Sequence, residues 1–538
     1  MKFAEFVASV GGEENIARVI RDEREVHFAL FRATTAIKTA YSTYEVQGET
    51  YVKGAVSDAH PDVLAPLCRA IEGRQRLKAA DFTSPVKCHF RPQWHISPPR
   101  GTLNDPNGFI HYHQQYLFCY QWYPYGCEHK DKHWLQLTSR DLVNWQWASL
   151  ALTPSDWFDS HGVFSGHCVS PSEDELYAFY TGNTRVGEER KRQTTQCIAK
   201  VTQTGYEKLG PVIPNVPEGI TEHCRDPKII RYDNEWWMFL GAQTEALQGR
   251  LAVYTSKDLI DWSLKGIYGQ ELDAFGYMWE CPDVFEIDGQ CYLVFCPQGI
   301  TSDDPYNTIP HHNRIAPISL SSSGVSIGDP QVLDHGFDFY APQSAAGENG
   351  ERIMIAWMGV PDEQDHPTCD SGWLHQMTMP RTITFESGQL LQRAHTNLGT
   401  LRAENLQFEL ADTKVNLETK CVELITEMVP GTTLKLFQDS EHELAICYDA
   451  ITHRLIIDRS RTLKREGDDR RSIKLGGEAA KLHLFTDSSS FELFINDGQA
   501  VMTGRVFTPQ AATFISCEGD SLNIDVYKLK PSTAPFQN

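Results

Sequence analysis

The chain has 538 residues, of which 41% are hydrophobic and 22% are charged, and its net charge is −22. This length predicts two or three domains, and the acidic surface argues against nucleic acids and anionic membranes as partners. No apolar run could span a bilayer, and the first twenty residues lack the continuous apolar core of a secretory signal. We therefore expect a cytoplasmic protein that acts on a small molecule and does not insert into a membrane.

Fourteen cysteines are spread singly from Cys68 to Cys517. They form no CxxC pair and no compact framework, which favours free thiols in a reducing compartment. Histidine pairs such as His311 and His312 lack further residues at zinc-ligand spacing. We predict no metal site and no cofactor.

Residues 1–85 are predicted to form a small α+β extension, with helices near Ala4–Ser9 and Leu64–Leu77 and an apolar strand, VHFALF, between them. The stretch FVASVGGEENIARVI with this strand weakly resembles the start of the IIB domain of sugar phosphotransferase permeases. Those domains carry a phospho-accepting cysteine before the first strand, whereas here Asp22 stands near that position and no cysteine precedes Cys68.

Two interpretations of the extension stay open: a degenerate IIB-like module and an unrelated segment that only packs on the next domain. The first would dock onto a second subunit, giving a homo-oligomer, or onto a sucrose transporter. We expect a chain without residues 1–85 to keep a chemically competent site but to change in oligomeric state or stability, and a truncated chain with neither change would exclude the docking role.

Residues 86–398 contain short apolar strands bounded by Gly, Asn and Asp, among them YLFCYQW, LYAFYTGN, EWWMFLGA, CYLVFCPQG and RIMIAWMG. They recur with a spacing typical of four-stranded repeats, and SRDLVNW at Ser139–Trp145 is nearly repeated by SKDLIDW at Ser256–Trp262. This pattern predicts a five-bladed β-propeller.

Residues 399–538 change to alternating segments such as CVELITEM, LHLFTD and FELFIND. Alternation indicates sheets with one buried and one exposed face, as in a β-sandwich. Asn496-Asp497-Gly498 predicts a hairpin turn between two of these strands. The whole chain is thus predicted to be mainly β.

Three acidic residues stand in unusual surroundings: Asp105 in LNDPNGF, Asp226 in CRDPKII and Glu280 in YMWECPDVF. Flanking Pro, Gly, Cys and Trp favour enclosed positions over exposed ones. Glycoside hydrolysis with retention of configuration needs a nucleophilic and a protonated carboxyl group about 5–5.5 Å apart. Ordinary buried ion pairs are the alternative interpretation of these residues.

From about His95 to the C-terminus, these phrases resemble the motifs of glycoside hydrolase family 32, the invertase and fructanase family. WHISPPRGTLNDPNG is similar to the first motif, with Leu103 where Met is common, and the segments around Asp226 and Glu280 are similar to the second and third. GFDFYAPQ and MTMPR match later segments. The resemblance implies a five-bladed propeller followed by a β-sandwich.

It also implies that Asp105 is the nucleophile, Glu280 the acid/base and Asp226 the transition-state stabiliser, with Arg225 beside it. We expect Trp279 and Cys281 to form a dry wall that keeps Glu280 protonated. Further positions match those that line the fructose pocket in the family: Asn104, Gln121, Trp134, Phe164 and Ser165. His129 stands where many members carry Trp, which places a basic group at the rim.

Phrases such as LTPSDWFDSHG and FGYMWECPD most resemble the bacterial sucrose-6-phosphate hydrolases of this family. The resemblance implies a β-fructofuranosidase that hydrolyses sucrose, sucrose 6-phosphate or both. The candidates for phosphate binding are His129, Lys130, Lys132 and Arg185, against the alternative of a solvated loop. A fructan hydrolase or fructosyltransferase, or a non-catalytic sugar sensor, remain as other functions.

Overall fold

The computed structural model describes residues 1–22, 25–46, 48–53, 56, 61–78, 85–186, 189, 191–272, 275–308, 311–411 and 413–532. All fourteen cysteines are free thiols. Among the described residues, no helix is both long enough and apolar enough to cross a membrane.

The N-terminal unit is an antiparallel four-stranded sheet, in the order β1-β2-β4-β3, packed with helices. Phe6, Phe28 and Val52 lie in its core, which Leu64 and Ile71 of the last helix complete. The predicted helices and the VHFALF strand are confirmed in type. In chain order the elements are α1 (Phe3–Ser9), β1 (Ile16–Asp22), β2 (Glu25–Leu30), α2 (Thr35–Ala40), β3 (Thr43–Val46), β4 (Glu49–Lys53) and α3 (Pro61–Lys78).

The structure describes the stretch compared with a IIB domain only in part. Residues 23 and 24 lie outside the described residues, as does the side chain of Asp22. The resemblance therefore rests on the sequence alone.

The next region consists of five antiparallel sheets arranged in a ring, which confirms the predicted propeller. The first strands of the sheets contact one another in a closed circle around the channel. The first two blades contain β5 (Gly101–Tyr112), β6 (Gln115–Tyr123), β7 (His133–Ser139) and β8 (Gln146–Leu152), then β9 (Val163–Ser172), β10 (Glu175–Val186), β11 (Lys191–Thr202) and β12 (Gly205–Ile213).

The third and fourth blades contain β13 (Ile220–Tyr232), β14 (Glu235–Thr244), β15 (Gly249–Ser256) and β16 (Ser263–Tyr268), then β17 (Met278–Ile287), β18 (Gln290–Gln298), β19 (Arg314–Ser321), β20 (Gly324–Ile327) and β21 (Gln331–Val332). The fifth contains β22 (Tyr340–Ala346), β23 (Arg352–Met358), β25 (Gln376–Met377), β26 (Arg381–Glu386) and β27 (Gln389–Ala394). A short strand, β24 (Trp373–Leu374), pairs in parallel with β5 and so closes the ring.

The repeated SRDLVNW and SKDLIDW phrases form the same turn after the third strand of two blades. In the first, the Asp141 carboxylate accepts hydrogen bonds from the backbone N–H groups of Val143 and Asn144, and the Trp145 indole donates to the Leu142 carbonyl. The second copy repeats each of these contacts. The sequence repeat therefore reflects a repeated structural unit.

The C-terminal region is a sandwich of two six-stranded antiparallel sheets, as predicted. The first sheet has the order β28 (Arg402–Leu410), β39 (Leu522–Leu529), β30 (Val422–Met428), β35 (Ala480–Asp487), β36 (Ser490–Ile495) and β37 (Ala500–Arg505). The second has the order β29 (Val415–Asn416), β38 (Phe514–Glu518), β31 (Thr433–Gln438), β32 (Leu444–Tyr448), β33 (Arg454–Asp458) and β34 (Arg470–Lys474).

The predicted hairpin at Asn496-Asp497-Gly498 joins β36 to β37, with Ile495 paired to Ala500. All three turn residues have positive φ, a conformation that Asn, Asp and Gly tolerate best. Leucine, isoleucine and phenylalanine side chains from both sheets fill the space between them.

Candidate active site

The first strand of every blade contains a β-bulge at the same height. The extra residue falls beside Asp105 in β5, at Phe164–Ser165 in β9, beside Asp226 in β13, after Glu280 in β17 and after Tyr340 in β22. A bulge twists the strand and redirects its side chains. Because the five strands form one ring, these bulges aim their side chains into one end of the channel.

Three of the bulges hold non-glycine residues in the left-handed region. The φ angles are +67° at Asp226, +50° at Cys281 and +49° at Ala341. Such conformations are unfavourable for L-residues other than Gly and Asn, and they concentrate at functional sites.

Asp105 lies at the base of a cavity of about 530 Å³ at this end of the channel. Its Oδ1 accepts a 3.1 Å hydrogen bond from the Asn104 amide, and its Oδ2 accepts a short one from the Ser165 hydroxyl. Burial raises the pKa of Asp105, as does the nearby charge of Glu280, whereas these hydrogen bonds lower it.

Asp226 faces Asp105 across the thiol of Cys281. The Cys281 sulfur is 3.6 Å from an oxygen of each carboxyl group, and the Cys281 backbone N–H donates to Asp226 Oδ2 at 2.9 Å. Burial raises the pKa of Asp226 to about 7, although the charge of Arg225 opposes this. At neutral pH, Asp226 therefore carries a proton part of the time.

Glu280 is held by donors on both oxygens. Oε1 accepts from Arg225 Nε at 3.1 Å and Nη2 at 2.6 Å, and Oε2 accepts from Gln298 at 2.5 Å and the Tyr340 hydroxyl at 2.7 Å. Burial alone would raise its pKa, but Arg225 and these hydrogen bonds bring the pKa below its ordinary value.

The prediction that Trp279 and Cys281 form a dry wall around Glu280 is wrong. Trp279 turns away from the cavity, donating its indole N–H to the Phe275 carbonyl and packing against Phe295 at 4.7 Å. Alternation along the strand places it on the opposite face from Glu280. The Cys281 sulfur contacts the carboxyl groups of Asp105 and Asp226. Hydrogen-bond donors in the site therefore favour the ionised form of Glu280.

Polar residues around Asp105 form a connected chain. The Asn104 amide donates to Gln121 Oε1 at 2.6 Å, and the Gln121 amide donates to the Ser165 hydroxyl at 2.6 Å. Asn104, Gln121 and Phe164 line the cavity, whereas Ser165 reaches it through its contact with Asp105. Phe164 lies under the guanidinium of Arg192, whose Cζ is 5.5 Å from the ring centre.

Trp134 does not line the cavity. It is completely buried, in a cluster with Tyr180, and its indole donates to the Phe164 carbonyl at 3.1 Å. Its aromatic face is thus covered by the protein core, and it supports the strand that carries Phe164.

The four candidates for phosphate binding all line the cavity but differ in their surroundings. Burial and the charge of Lys132 lower the pKa of His129 well below its ordinary value, so that its ring is neutral. Burial lowers the pKa of Lys132 to about 7, against the opposing charge of Asp105. Lys130 is exposed and pairs with Glu128 at 3.2 Å.

Arg185 has a further cation directly opposite it. It pairs with Arg192 across β10 and β11, and both side chains line the cavity. Like charges at opposed strand positions repel each other. Burial lowers the pKa of Arg192 to about 10, with the charges of Arg225 and Arg185 adding to the effect. The pair therefore makes this side of the cavity strongly positive.

Several cavity residues were not identified from the sequence. Tyr340 and Gln298 hold Glu280, Arg192 faces Arg185, and Arg69 enters from helix α3 of the N-terminal unit. Tyr340 had a signal, since it stands in the matched GFDFYAPQ phrase. Arg69 had none, because contacts between distant segments leave no local pattern.

Comparison with known proteins identifies the class. Residues 95–394 match the glycosyl hydrolases family 32 N-terminal domain, and residues 389–529 match the family's C-terminal domain. The chain therefore belongs to glycosyl hydrolases family 32, as its motifs indicated, and it is a glycoside hydrolase.

Among its relatives is a probable sucrose-6-phosphate hydrolase of Vibrio cholerae, 47% identical over 98% of this chain and 97% of the relative. The sucrose-6-phosphate hydrolase of Bacillus subtilis is 37% identical over 82% of this chain and 92% of its own length. The structure is similar to that of the sucrose-6-phosphate hydrolase from Lactobacillus gasseri, with a TM-score of 0.77 and 28% identity over 88% of this chain and 97% of the other. It is also similar to the GH32 beta-fructofuranosidase of Bombyx mori, with a TM-score of 0.75 and 27% identity over 85% and 98% of the two chains.

Proposed function

We propose that the protein is a retaining β-fructofuranosidase that hydrolyses sucrose 6-phosphate and sucrose. Asp105 acts as nucleophile, Glu280 as acid/base and Asp226 as stabiliser of the transition state. The observation that carries the proposal is the convergence of these carboxyl groups, from the first strands of three blades, on one cavity. The names of the relatives agree with this substrate class.

In the first step, an oxygen of Asp105 bonds to the anomeric carbon of the fructosyl unit. The bond from that carbon to the glycosidic oxygen breaks, and Glu280 gives its proton to the leaving oxygen. In the second step, Glu280 takes a proton from water as the water oxygen displaces Asp105. The fructose leaves with its original anomeric configuration.

Glu280 must carry a proton when the substrate is bound. Arg225 favours its ionised form, while Asp226 has a pKa of about 7. A sugar ring that fills the cavity removes water chiefly from Glu280, whose side chain is 15% exposed against 4% for Asp226, and desolvation raises the pKa of a carboxyl group. Substrate binding thus moves the proton preference of the cluster towards Glu280. Asp226, once ionised, stabilises the positive charge that develops on the ring.

Arg185 is the strongest of the four phosphate candidates. It faces a second guanidinium, that of Arg192, in the cavity, whereas burial keeps the His129 ring neutral and lowers the pKa of Lys132 to about 7, and Lys130 is exposed. A phosphate between two guanidinium groups would relieve their repulsion and accept hydrogen bonds from both.

The test compares catalytic efficiency on sucrose and on sucrose 6-phosphate, for the native protein and for Arg185→Gln. We expect both substrates to be cleaved, and we expect Arg185→Gln to lose roughly 10- to 100-fold on the phosphorylated one with little change on sucrose. Lys191→Gln is the matched control, because this exposed lysine in the same hairpin pairs with Glu189. Equal losses on both substrates would exclude a phosphate role for Arg185, and faster cleavage of inulin or levan would favour a fructan hydrolase.

The division into residues 1–85, 86–398 and 399–538 is part of the proposal, supported by the fact that every sheet of four or more strands lies within one segment. The free state of all fourteen cysteines supports a reducing, cytoplasmic location. Association through the N-terminal extension stays a prediction, to be tested by light scattering.

A further inference from the structure

Helix α3 of the N-terminal unit docks against the loops that surround the active-site cavity. The backbone of Gly73 lies close to the Pro154 carbonyl, and Arg74 donates a hydrogen bond to the Ser155 carbonyl. The guanidinium of Arg76 lies 3.8 Å from the centre of the Tyr125 ring. The helix is thereby fixed to two loops, one after β6 and one after β8.

One turn before these contacts, Arg69 enters the cavity itself. Its Nη2 donates to the Asp131 carboxylate, and 36% of its side chain is exposed, against 23% for Asp131. Both residues line the same cavity as Asp105 and Glu280. The lining of the active site therefore includes a residue from the N-terminal unit.

The Asp131 carboxylate fixes the Arg69 guanidinium but occupies only part of its hydrogen-bond donors. Burial alone would raise the pKa of Asp131, but the hydrogen bond and charge of Arg69 bring it below its ordinary value, so that the pair is ionic at neutral pH. An arginine has five N–H donors in a planar fork, and the contact with Asp131 uses one of its terminal nitrogens. Arg69 is thus oriented and still able to donate to an anion.

The surroundings of Arg69 suit an anionic ligand. Lys130, Lys132, Arg185 and Arg192 line the same cavity, in a protein whose net charge is −22. A concentrated positive region on an acidic molecule attracts anions to this one place. The carboxyl groups at the base of the cavity repel a free anion. A negative group is therefore accommodated on the positive side of the cavity.

We propose that Arg69 is a specificity-determining residue, which donates to the phosphate of the phosphorylated sugar in addition to Arg185 and Arg192, and which makes the N-terminal unit part of the active site. This inference rests on the proposed function of the cavity. It assigns the first 85 residues a role in substrate selection in addition to any docking onto other proteins. Sucrose itself lacks the group that Arg69 recognises, so its cleavage is independent of this contact.

The first test compares Arg69→Ala and Arg69→Lys with the native protein on sucrose 6-phosphate and on sucrose. We expect Arg69→Ala to lower catalytic efficiency on sucrose 6-phosphate roughly 10- to 100-fold, mainly through KM, and to change it on sucrose less than about threefold. Arg69→Lys keeps the charge but not the fork, and should recover only part of the loss. A parallel loss on both substrates, or no loss on either, would overturn the proposal.

Arg76→Ala is the control for helix docking. It removes a contact of the same helix with the propeller, but Arg76 does not line the active-site cavity. We expect it to lower thermal stability while leaving the preference for the phosphorylated substrate unchanged. A loss of preference equal to that of Arg69→Ala would show that docking alone matters, and would contradict a binding role for Arg69.

The variant Asp131→Asn distinguishes phosphate binding by Arg69 from a purely structural contact between helix α3 and the loop. If Arg69 binds phosphate, this variant should keep or strengthen the preference for sucrose 6-phosphate, because the asparagine oxygen can still accept from the guanidinium while the competing negative charge is gone. If the pair only fastens helix to loop, this variant should lose that preference as Arg69→Ala does. Calorimetric titration with glucose 6-phosphate measures phosphate binding by Arg69 without turnover. Weaker binding by Arg69→Ala supports the proposal even if neither sucrose nor sucrose 6-phosphate is cleaved. Unchanged binding contradicts it.

Discussion

The active-site cavity and the contact between propeller and sandwich each bury several charged groups, but the two differ in how those charges are paired. At the domain contact, Arg381 is fully buried and donates to Glu492, Asp334 and Thr503. His95 bridges Asp487 at 2.9 Å and Glu492 at 3.1 Å. Attraction from these partners lowers the pKa of Asp487 and Glu492 despite their burial.

In the cavity, Arg225 binds Glu280 closely and lies 4.0 Å from Asp226, whereas the direct partners of Asp105 are the uncharged side chains of Asn104, Ser165 and Cys281. Burial and mutual repulsion raise the pKa of Asp105 and Asp226, and two of the bulges that hold the cluster adopt positive φ. A cluster arranged for chemistry is thus left electrostatically unbalanced, whereas the one that joins domains is balanced. Removing a charge should therefore have opposite effects on stability in the two regions.

The largest expected effect is on catalysis. Asp105→Ala and Glu280→Ala should each lower kcat on sucrose by several orders of magnitude with the fold intact, because each removes a group that makes or breaks a bond. Activated fructosides, whose leaving groups need little protonation, should partly restore the first step in Glu280→Ala but not in Asp105→Ala. Steady-state kinetics with both substrate types would check this. An equal loss of activity on both in Glu280→Ala would exclude the acid role.

The next largest effect is on stability at the domain contact. Arg381→Met should lower the free energy of unfolding by about 3–5 kcal/mol, because it leaves Asp334 buried without its arginine and leaves Glu492 with His95 alone. Chemical denaturation would measure it, with Arg393→Met as control. Arg393 is exposed and pairs with Glu386 at the surface, so its loss should cost no more than about 1 kcal/mol. Similar losses of unfolding free energy in the two variants would show that the buried network stabilises the protein no more than a surface ion pair does.

The sequence predicted more of the fold than of the site's electrostatics. Strand composition and the repeated turn predict the propeller and sandwich, because both patterns are local and repeat. The motifs also named Asp105, Asp226 and Glu280, which the structure brings into one cavity. They could not separate catalytic from structural residues: His95 stands in the same motif as Asp105 and MTMPR ends in Arg381, yet both belong to the domain contact.

What the sequence could not supply depends on contacts between distant segments. Trp134 is paired directly with Gln121 on the neighbouring strand. Its side chain nevertheless packs into the core, whereas Gln121 lines the cavity. The lowered pKa of Glu280 depends on Arg225 first and on Tyr340 next, and both arrive from other strands. The entry of Arg69 depends on how a separate unit docks.

The smallest expected effect, and the one that tests the comparison most directly, is Asp226→Asn. The raised pKa of Asp226, about 7, means that the folded protein binds its proton more tightly than the unfolded chain does. Stability is therefore lost as pH rises from about 4 to about 7, and an amide that cannot ionise avoids the loss. We expect the variant to be inactive but more stable by about 1–4 kcal/mol at pH 7, with little gain at pH 4. Asp487→Asn should show the opposite trend, since its lowered pKa means that it stabilises above about pH 4. Denaturation of both variants from pH 4 to pH 8 would check this. Destabilisation by Asp226→Asn across the whole range would show that the buried carboxyl groups of the cavity do not lower the stability of the folded protein.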